Sequence, residues 1–280
     1  MDIMEKRELQ AFAVKIRIAA LDALNAVGMG HIGGIMSVAD LLAVLYGREM
    51  RINVADPQWP ERDKLVCSKG HAGASVYGTL ALKGYFPYEE LQTMNKPETR
   101  LPSHCDRTKT PGIDMTTGSL GQGTSLACGM ALGDKLKGRD NRVFLIVGDG
   151  ETNEGQVWEA FNFASAYKLG NLVVCLDWNK RQLDGYTEEI YPIGDLQAKM
   201  KAFGFKTVVI DGADVEAIAA ALEWTRSGGD QPYCILMDTV KGAGIEDVVN
   251  THANHSMSIS KENYEKWTAQ LRAELEELEG

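Results

Sequence analysis

The chain has 280 residues, of which 44% are hydrophobic, enough for one large domain with a sizeable core. Its net charge of −10, without a basic patch, disfavours nucleic acid as the main partner. No apolar run approaches the roughly 20 residues of a membrane span, and the polar N-terminus is unlike a signal peptide, so we expect a cytoplasmic protein without a membrane partner. Five scattered cysteines without a C-x-x-C pair favour buried thiols over zinc or disulfides.

The first half of the chain alternates helical segments with glycine-rich turns. Apolar residues near the N-terminus recur at helical spacing and predict one buried helix face, formed by Leu9, Phe12, Ile16, Ala20, Leu24 and Val27. Ser37 to Asp40 is typical of a capping box before an apolar helix. The stretch 94–117 is rich in Pro, Thr and charge and predicts a long ordered loop with a functional role. The other expected elements are a glycine-rich turn at 28–34, a short strand leading into a Gly/His turn at 63–73, a helix at 74–83, and a glycine-rich turn at 116–125 that leads into a helix at 124–136.

The second half of the chain alternates strands and helices. Buried-type strands are expected at 143–147, 172–176, 207–210 and 234–238, with helices at 154–168 and 214–226. This alternation predicts an α/β fold with a mostly parallel, doubly wound sheet and helices on both faces. A C-terminal helix at about 260–279 has an apolar stripe that would pack on the body or on a partner. We expect one domain over residues 1–280.

Polar side chains follow two of the predicted strands directly. The first strand ends in Gly148-Asp149-Gly150, and the second is followed by Asn179. If these strands are neighbours, Asp149 and Asn179 lie side by side and offer oxygen ligands suited to Mg²⁺, while the helix starting near Gly150 offers N–H groups to a phosphate. A hairpin at the D-G pair is excluded because a helix follows. A turn aspartate that merely caps that helix remains an alternative.

The order of several motifs resembles the N-terminal, diphosphate-binding domain of transketolases along nearly the whole chain. The matching stretches are GMGHIGG at 28–34, SKGHAG at 68–73, TTGSLGQG at 116–123, GDGETNEGQVWEA at 148–160, DWNKRQLDG at 177–185 and VKGAG at 240–244. The likeness is greatest to the split form, in which this domain is a separate chain. It implies the thiamine diphosphate-binding fold and a cofactor pair of thiamine diphosphate and Mg²⁺, with Ca²⁺ or Mn²⁺ as substitutes.

The resemblance also assigns roles to individual residues. A metal site would consist of Asp149, Asn179 and the backbone carbonyl of Arg181. The cofactor contacts would be His71 and the Gly150 amide at the diphosphate, Gly118 at the aminopyrimidine ring, Leu120 and Leu183 on either side of the thiazolium, and Glu154 in a carboxylate network at the subunit interface. The substrate-facing, proton-transferring histidines would be His31, His71, His104 and His255.

The histidines also carry a signal of their own. His31, His71 and His104 lie in or beside turns that fit the same side of the sheet, and imidazole transfers protons near neutral pH. The choice of His255 over His252 depends on the loop alignment alone. Some positions depart from the family pattern and leave the sugar open: Ser119, Cys105, Arg181 and the loop after residue 244.

The resemblance implies transfer of a two-carbon ketol unit from a ketose phosphate to an aldose. In the family, the glutamate that activates the cofactor lies in a pyrimidine-binding domain, and we expect that domain to be supplied by another polypeptide. We therefore expect an α₂β₂ assembly with a second chain, and inactivity without it. Three alternatives stay open: a specialised split transketolase for a sulfonated or branched ketose, another thiamine diphosphate carboligase, and a non-catalytic scaffold.

Overall fold

A five-stranded parallel sheet forms the centre of the computed structural model, which describes all 280 residues. The strands in chain order are β1 (Met29–Gly30), β2 (Lys64–Cys67), β3 (Val143–Gly148), β4 (Leu172–Trp178), β5 (Lys206–Asp211), β6 (Tyr233–Asp238) and β7 (Met257–Ser258). The sheet has the order β2-β3-β4-β6-β5, and every neighbouring pair is parallel. β1 and β7 form a separate antiparallel pair. The five predicted strands and the parallel sheet are therefore confirmed.

Helices connect the strands and cover the sheet. They are α1 (Ile3–Val27), α2 (Ile32–Met36), α3 (Ala39–Val44), α4 (Gly73–Leu82), α5 (Gln122–Leu136), α6 (Gly155–Ala166), α7 (Thr187–Ile190), α8 (Leu196–Ala202), α9 (Val215–Trp224), α10 (Glu246–Asn250) and α11 (Lys261–Glu279). A π-helical turn, Leu45–Glu49, continues α3. The longer predicted helices are confirmed to within about two residues, except that α1 begins at Ile3, five residues before the predicted range 8–27. The short helices α2, α7, α8 and α10 were not expected. The stretch 94–117 is a loop, as predicted. None of the helices is both long and apolar enough to cross a membrane.

Alternate residues of the central strands face two separate apolar layers. Phe144 and Ile146 of β3 pack into a core that includes α1, α3, α4, α9 and α11. Leu145 and Val147 of the same strand pack into a second core with α5, α6 and α8. Helices on both faces are the predicted arrangement, and they explain why these strands are apolar on both sides.

Two local predictions near the N-terminus are corrected by the packing. Residues 16–24 of α1 are all buried, because the helix packs against α3, α4 and α11 together, so the prediction of one apolar face was too narrow. Ser37 does not cap a helix: α3 starts after Val38 without a side-chain cap. The Ser37 hydroxyl instead donates to Asp177 Oδ2 at 2.8 Å.

The carboxyl ends of the parallel strands share one edge of the sheet. Gly148, at the end of β3, is the register partner of Asp177 near the end of β4. The segments that leave this edge are 68–72 after β2, 149–154 after β3, 179–186 after β4 and 239–244 after β6. This edge is where ligands bind in open α/β sheets.

Candidate functional site

Asp149 and Asn179 meet at the ends of the neighbouring strands β3 and β4. The Asp149 amide donates to the Asp177 carbonyl at 3.1 Å and ties the two strand ends together. Asp149 is 1% exposed and Asn179 is 8% exposed, and both line a cavity of about 340 Å³. The structure thus brings together the carboxylate and the amide that the sequence pattern placed side by side.

The Asp149 carboxylate is surrounded by backbone donors rather than by cations. Its Oδ1 accepts from the Gly150 amide at 2.7 Å, and its Oδ2 accepts from the Lys180 amide at 2.5 Å. No Lys, Arg or His side chain is within salt-bridge distance of it. Burial, reinforced by the charge of Asp177, raises the pKa of Asp149 to about 7. A cation at this position would favour the ionised carboxylate, because opposite charge offsets the cost of burial.

The Asn179 amide has a fixed orientation. Its Nδ2 donates to Asp177 Oδ2 at 2.8 Å, and its Oδ1 accepts from the Arg181 amide at 3.1 Å. Asp177 is fully buried and also accepts from Ser37, Thr239 and the ammonium of Lys69, which is itself 2% exposed. This buried network keeps the amide nitrogen of Asn179 on the protein side.

The Arg181 carbonyl accepts a hydrogen bond from a lysine ammonium. Lys241 Nζ donates to this carbonyl at 3.2 Å and to the Gln182 carbonyl at 3.2 Å. Burial, followed by the charge of Lys69, lowers the pKa of Lys241 to about 8. No group of three or more His, Cys, Asp or Glu side chains is placed to hold a metal. A divalent ion here would therefore depend on one carboxylate, one amide and one carbonyl, the hard oxygen donors that Mg²⁺ accepts.

Five of the six residues expected to contact a cofactor surround the same cavity. His71, Leu120, Gly150, Glu154 and Leu183 all line it. Leu183 is 62% exposed, so an apolar ring placed against it would remove apolar surface from water. The sixth residue, Gly118, is not in the cavity wall. It has a φ of +147°, and an added Cβ would lie 3.0 Å from the His104 ring.

Four of the five histidines form one cluster beside this cavity. The His31 ring centroid is 5.3 Å from that of His71, 5.7 Å from His104 and 5.4 Å from His255, and the centroids of His71 and His255 are 5.0 Å apart. His252 is exposed and lies outside the cluster, against Tyr186. The structure therefore groups the four predicted histidines and separates His255 from His252.

Burial keeps these imidazoles neutral. It lowers the pKa of His71 to about 2, with Lys69 as the next cause, and that of His255 to about 3, with Lys241 as the next cause. The pKa values of His31 and His104 are also lowered, mainly by burial. A neutral imidazole offers one N–H donor and one acceptor, so the cluster can bind hydroxyl groups and exchange protons with them.

Sequence reasoning missed several buried charged residues that build the site. Besides Lys69, Asp177 and Lys241, Glu151 is 2% exposed and accepts from the Gly121 and Gly148 amides at 2.8 and 3.2 Å. It thereby joins the glycine-rich turn at 116–123 to the end of β3. Each of the four lies within the last two residues of a strand or within three residues after one, and that position is the signal that could have identified them.

Comparisons with known proteins agree on one family. The family model for "Transketolase, thiamine diphosphate binding domain" matches residues 9–277. The 6-deoxy-6-sulfo-D-fructose transketolase subunit SqwG of Clostridium sp. (strain MSTE9) is 46% identical over 95% of this chain and 97% of its own length. One of the subunits of the apulose-4-phosphate transketolase of Actinobacillus succinogenes is 37% identical over 86% of this chain and 87% of its own length.

Longer, single-chain transketolases match as well. Human transketolase is 35% identical over 97% of this chain but only 44% of its own length. The solved transketolase from Leishmania mexicana superposes with a TM-score of 0.86 and 28% identity, over 100% of this chain and 45% of that one. This chain therefore spans less than half of the single-chain relatives and nearly all of the two relatives that are named as subunits.

Proposed function

The chain belongs to the transketolase family as its thiamine diphosphate binding domain, and we propose that it works as one half of a two-chain transketolase. In this proposal the whole chain, 1–280, is one diphosphate-binding domain. The assembled enzyme transfers a two-carbon ketol unit from a ketose phosphate to an aldose. The observation that carries the proposal is the position of Asp149 and Asn179 at two adjacent strand ends, where they line, together with Arg181, a cavity that five of the six expected cofactor residues also line.

The cofactor-binding part of the proposal keeps the roles that the family resemblance implies, for residues that, apart from Gly118, line the cavity. Mg²⁺, replaceable by Ca²⁺ or Mn²⁺, is held by the three oxygen donors and neutralises the diphosphate. The cofactor contacts are His71 and the Gly150 amide at the diphosphate, Gly118 near the aminopyrimidine, and Leu120 and Leu183 beside the thiazolium. Bound thiamine diphosphate supplies the carbon nucleophile for the ketose carbonyl, and the protein supplies orientation and electrostatics.

The histidine cluster is proposed to handle the sugar. His31, His71, His104 and His255 are neutral around pH 7. The first three can each donate to one hydroxyl and accept from another, whereas His255 Nδ1 lies 3.0 Å from the Lys241 ammonium and accepts from it, which leaves the second ring nitrogen of His255 as a donor. Proton exchange with a sugar hydroxyl would accompany cleavage and formation of the carbon–carbon bond.

A partner chain is part of the same proposal. The two relatives of matching length are both named as subunits, and the single-chain transketolases are more than twice as long. We place the pyrimidine-binding and C-terminal domains in a second polypeptide and the assembly in the cytoplasm as an α₂β₂ heterotetramer. Glu154 would lie at the subunit interface, where it would join a carboxylate network between paired sites.

Reconstitution tests this function directly. The purified chain, the purified partner and their mixture would be assayed for ketol transfer with thiamine diphosphate and Mg²⁺. The proposal expects activity in the mixture alone. Full activity of this chain without a partner would contradict the partner requirement. Cofactor binding without any ketol transfer would favour another carboligase, and no cofactor binding by the complex would favour a non-catalytic scaffold.

A sulfonated ketose is a specific second candidate for the donor. The relative with 46% identity is named for 6-deoxy-6-sulfo-D-fructose, and the one with 37% identity for apulose-4-phosphate. A panel of ketose phosphates, 6-deoxy-6-sulfo-D-fructose and apulose-4-phosphate, offered to the reconstituted pair, would rank the donors by kcat/KM. A preference of more than about tenfold, equivalent to about 1.4 kcal/mol in the transition state, would assign the donor class.

A further inference from the structure

The side chain of Arg181 lies across two loops of the site. Its Nη1 donates to the Thr251 carbonyl at 3.1 Å and to the Val249 carbonyl at 3.3 Å, and its Nη2 donates to the Tyr186 hydroxyl at 2.7 Å. The guanidinium also stacks on the Tyr186 ring, 4.7 Å from its centroid. The Arg181 carbonyl, which accepts from Lys241 Nζ at 3.2 Å, is also the third oxygen ligand in the proposed cation site.

The two carbonyls that Arg181 binds lie at the end of α10. This helix ends at Asn250, and carbonyls at a helix C-terminus have no partner within the helix. A guanidinium presents several donors in a fixed plane, so it can bind two carbonyls and a hydroxyl at once. A lysine or an apolar residue at position 181 could not form this set of contacts.

The segment held by Arg181 leads to His255. Asn254 fixes its far end, since its Nδ2 donates to the Val248 carbonyl at 3.0 Å and to the Lys241 carbonyl at 3.1 Å. Lys241 Nζ then lies 3.0 Å from His255 Nδ1. Arg181 and the loop after residue 244 both depart from the family pattern. They are in direct contact with each other.

We infer that Arg181 is a positioning residue that couples the proposed cation-binding loop, 179–186, to the histidine-bearing segment 246–255, which consists of α10 and the turn after it. Its carbonyl is a proposed cation ligand, while its side chain holds the segment that leads to His255. Binding of the cation and cofactor orders loop 179–186. Through the guanidinium contacts, this binding also restricts segment 246–255, which has no ligand in the proposed cation site. The coupling rests on the proposed function, whereas the contacts of Arg181 with segment 246–255 are present without any cofactor.

Hydrogen exchange followed by mass spectrometry tests both statements on the full chain. In the cofactor-free chain, Arg181→Leu is expected to speed exchange of the 249–255 amides about tenfold or more, because a charge-assisted set of hydrogen bonds is lost. Arg181→Lys should resemble Arg181→Leu, since charge alone does not bridge two carbonyls. Lys180→Met is the matched control: it lies one residue before Arg181 and removes only an exposed ion pair with Asp238. It should leave the exchange rates of the 249–255 amides unchanged.

The second arm adds thiamine diphosphate and Mg²⁺ to the chain reconstituted with its partner. Wild type should gain protection from exchange in both 179–186 and 249–255, whereas Arg181→Leu should gain it in 179–186 alone. Arg181→Leu should also raise the KM for the ketose about tenfold. Its cofactor affinity should stay like that of wild type, because the proposed cation ligand at position 181 is a backbone carbonyl. Equal exchange at 249–255 in cofactor-free wild type and Arg181→Leu would overturn the positioning role. Protection of both loops in loaded Arg181→Leu would overturn the coupling. If the cofactor changed exchange nowhere in wild type, the proposed function and with it the coupling would be overturned. The cofactor-free comparison would still show whether Arg181 stabilises segment 246–255.

Discussion

The side-chain amide of Asn179 donates to Asp177 Oδ2 at 2.8 Å, at the end of β4. Asp177 is fully buried and forms an ion pair with the ammonium of Lys69 in the protein interior. The proposed cation ligand is thus oriented by an ion pair beneath the cavity. Orientation of a ligand by a buried partner is common at metal sites, and it makes the supporting pair a target for testing.

Asp177→Ala should lower the free energy of unfolding by about 3–5 kcal/mol, because it leaves the Lys69 ammonium buried without a counter-charge. Urea unfolding of the full chain measures this change. The double variant Lys69→Met with Asp177→Ala removes both charges and should recover part of the loss. If the double variant lost as much stability as Asp177→Ala and Lys69→Met lose together as single variants, the two residues would act independently.

The histidine cluster predicts a loss of stability in acid. The pKa values of His71 and His255 in the fold, about 2 and about 3, lie below the ordinary value of 6.5, so the unfolded chain binds more protons between these limits. The contribution of each is present above pH 6.5 and is lost as pH falls towards its folded pKa. Between pH 7.5 and 5.5, the linkage at His71 should lower the free energy of unfolding by about 1.4 kcal/mol, and that at the more exposed His255 should lower it by less.

The test for this pH dependence compares variants of the cofactor-free chain. His71→Gln should flatten the decline between pH 7.5 and 5.5 by about 1.4 kcal/mol, as measured by urea unfolding at each pH. His252→Gln is the matched control, because His252 is exposed and lies outside the cluster. A decline in His71→Gln as steep as in wild type would show that His71 takes up a proton in the folded chain.

Gly118 predicts a local steric cost. Its φ of +147° disfavours any side chain, and a Cβ would lie 3.0 Å from the His104 ring. Gly118→Ala should therefore destabilise the chain by about 1–3 kcal/mol and displace His104. Gly133→Ala in α5, where a Cβ meets nothing within 4 Å, is the control and should be neutral or stabilising by about 0.5–1 kcal/mol. Equal unfolding free energies for the two variants would contradict this account of Gly118.

The sequence was most informative where one physical rule dominated. The apolar runs around Leu145 and Val174 predicted buried parallel strands, because strands covered on both faces are apolar on both faces. The adjacency of Asp149 and Asn179 followed from the parallel sheet, since neighbouring strands end at one edge. Local pattern failed where tertiary contacts prevailed: Ser37 turns inward to Asp177, and α1 is enclosed by three helices.

Other features of the site had no local signal at all. Whether His252 or His255 joins the cluster depends on how the loop after β6 turns, which Asn254 fixes through contacts with Lys241 and Val248. The contact between Arg181 and α10 links residues 68 and 70 positions apart, so no window along the chain contains both partners. Short helices such as α10 have too few residues for a periodic pattern.

The most direct test of the account is calorimetry of thiamine diphosphate and Mg²⁺ with the reconstituted complex, comparing wild type, Asp149→Ala and Asp184→Ala. Asp184 lines the same cavity but is exposed, so its variant controls for a general loss of negative charge. We expect Asp149→Ala to weaken cofactor binding by roughly a hundredfold or more, and Asp184→Ala to bind like wild type. Wild-type affinity in Asp149→Ala would contradict a cation site at the ends of β3 and β4.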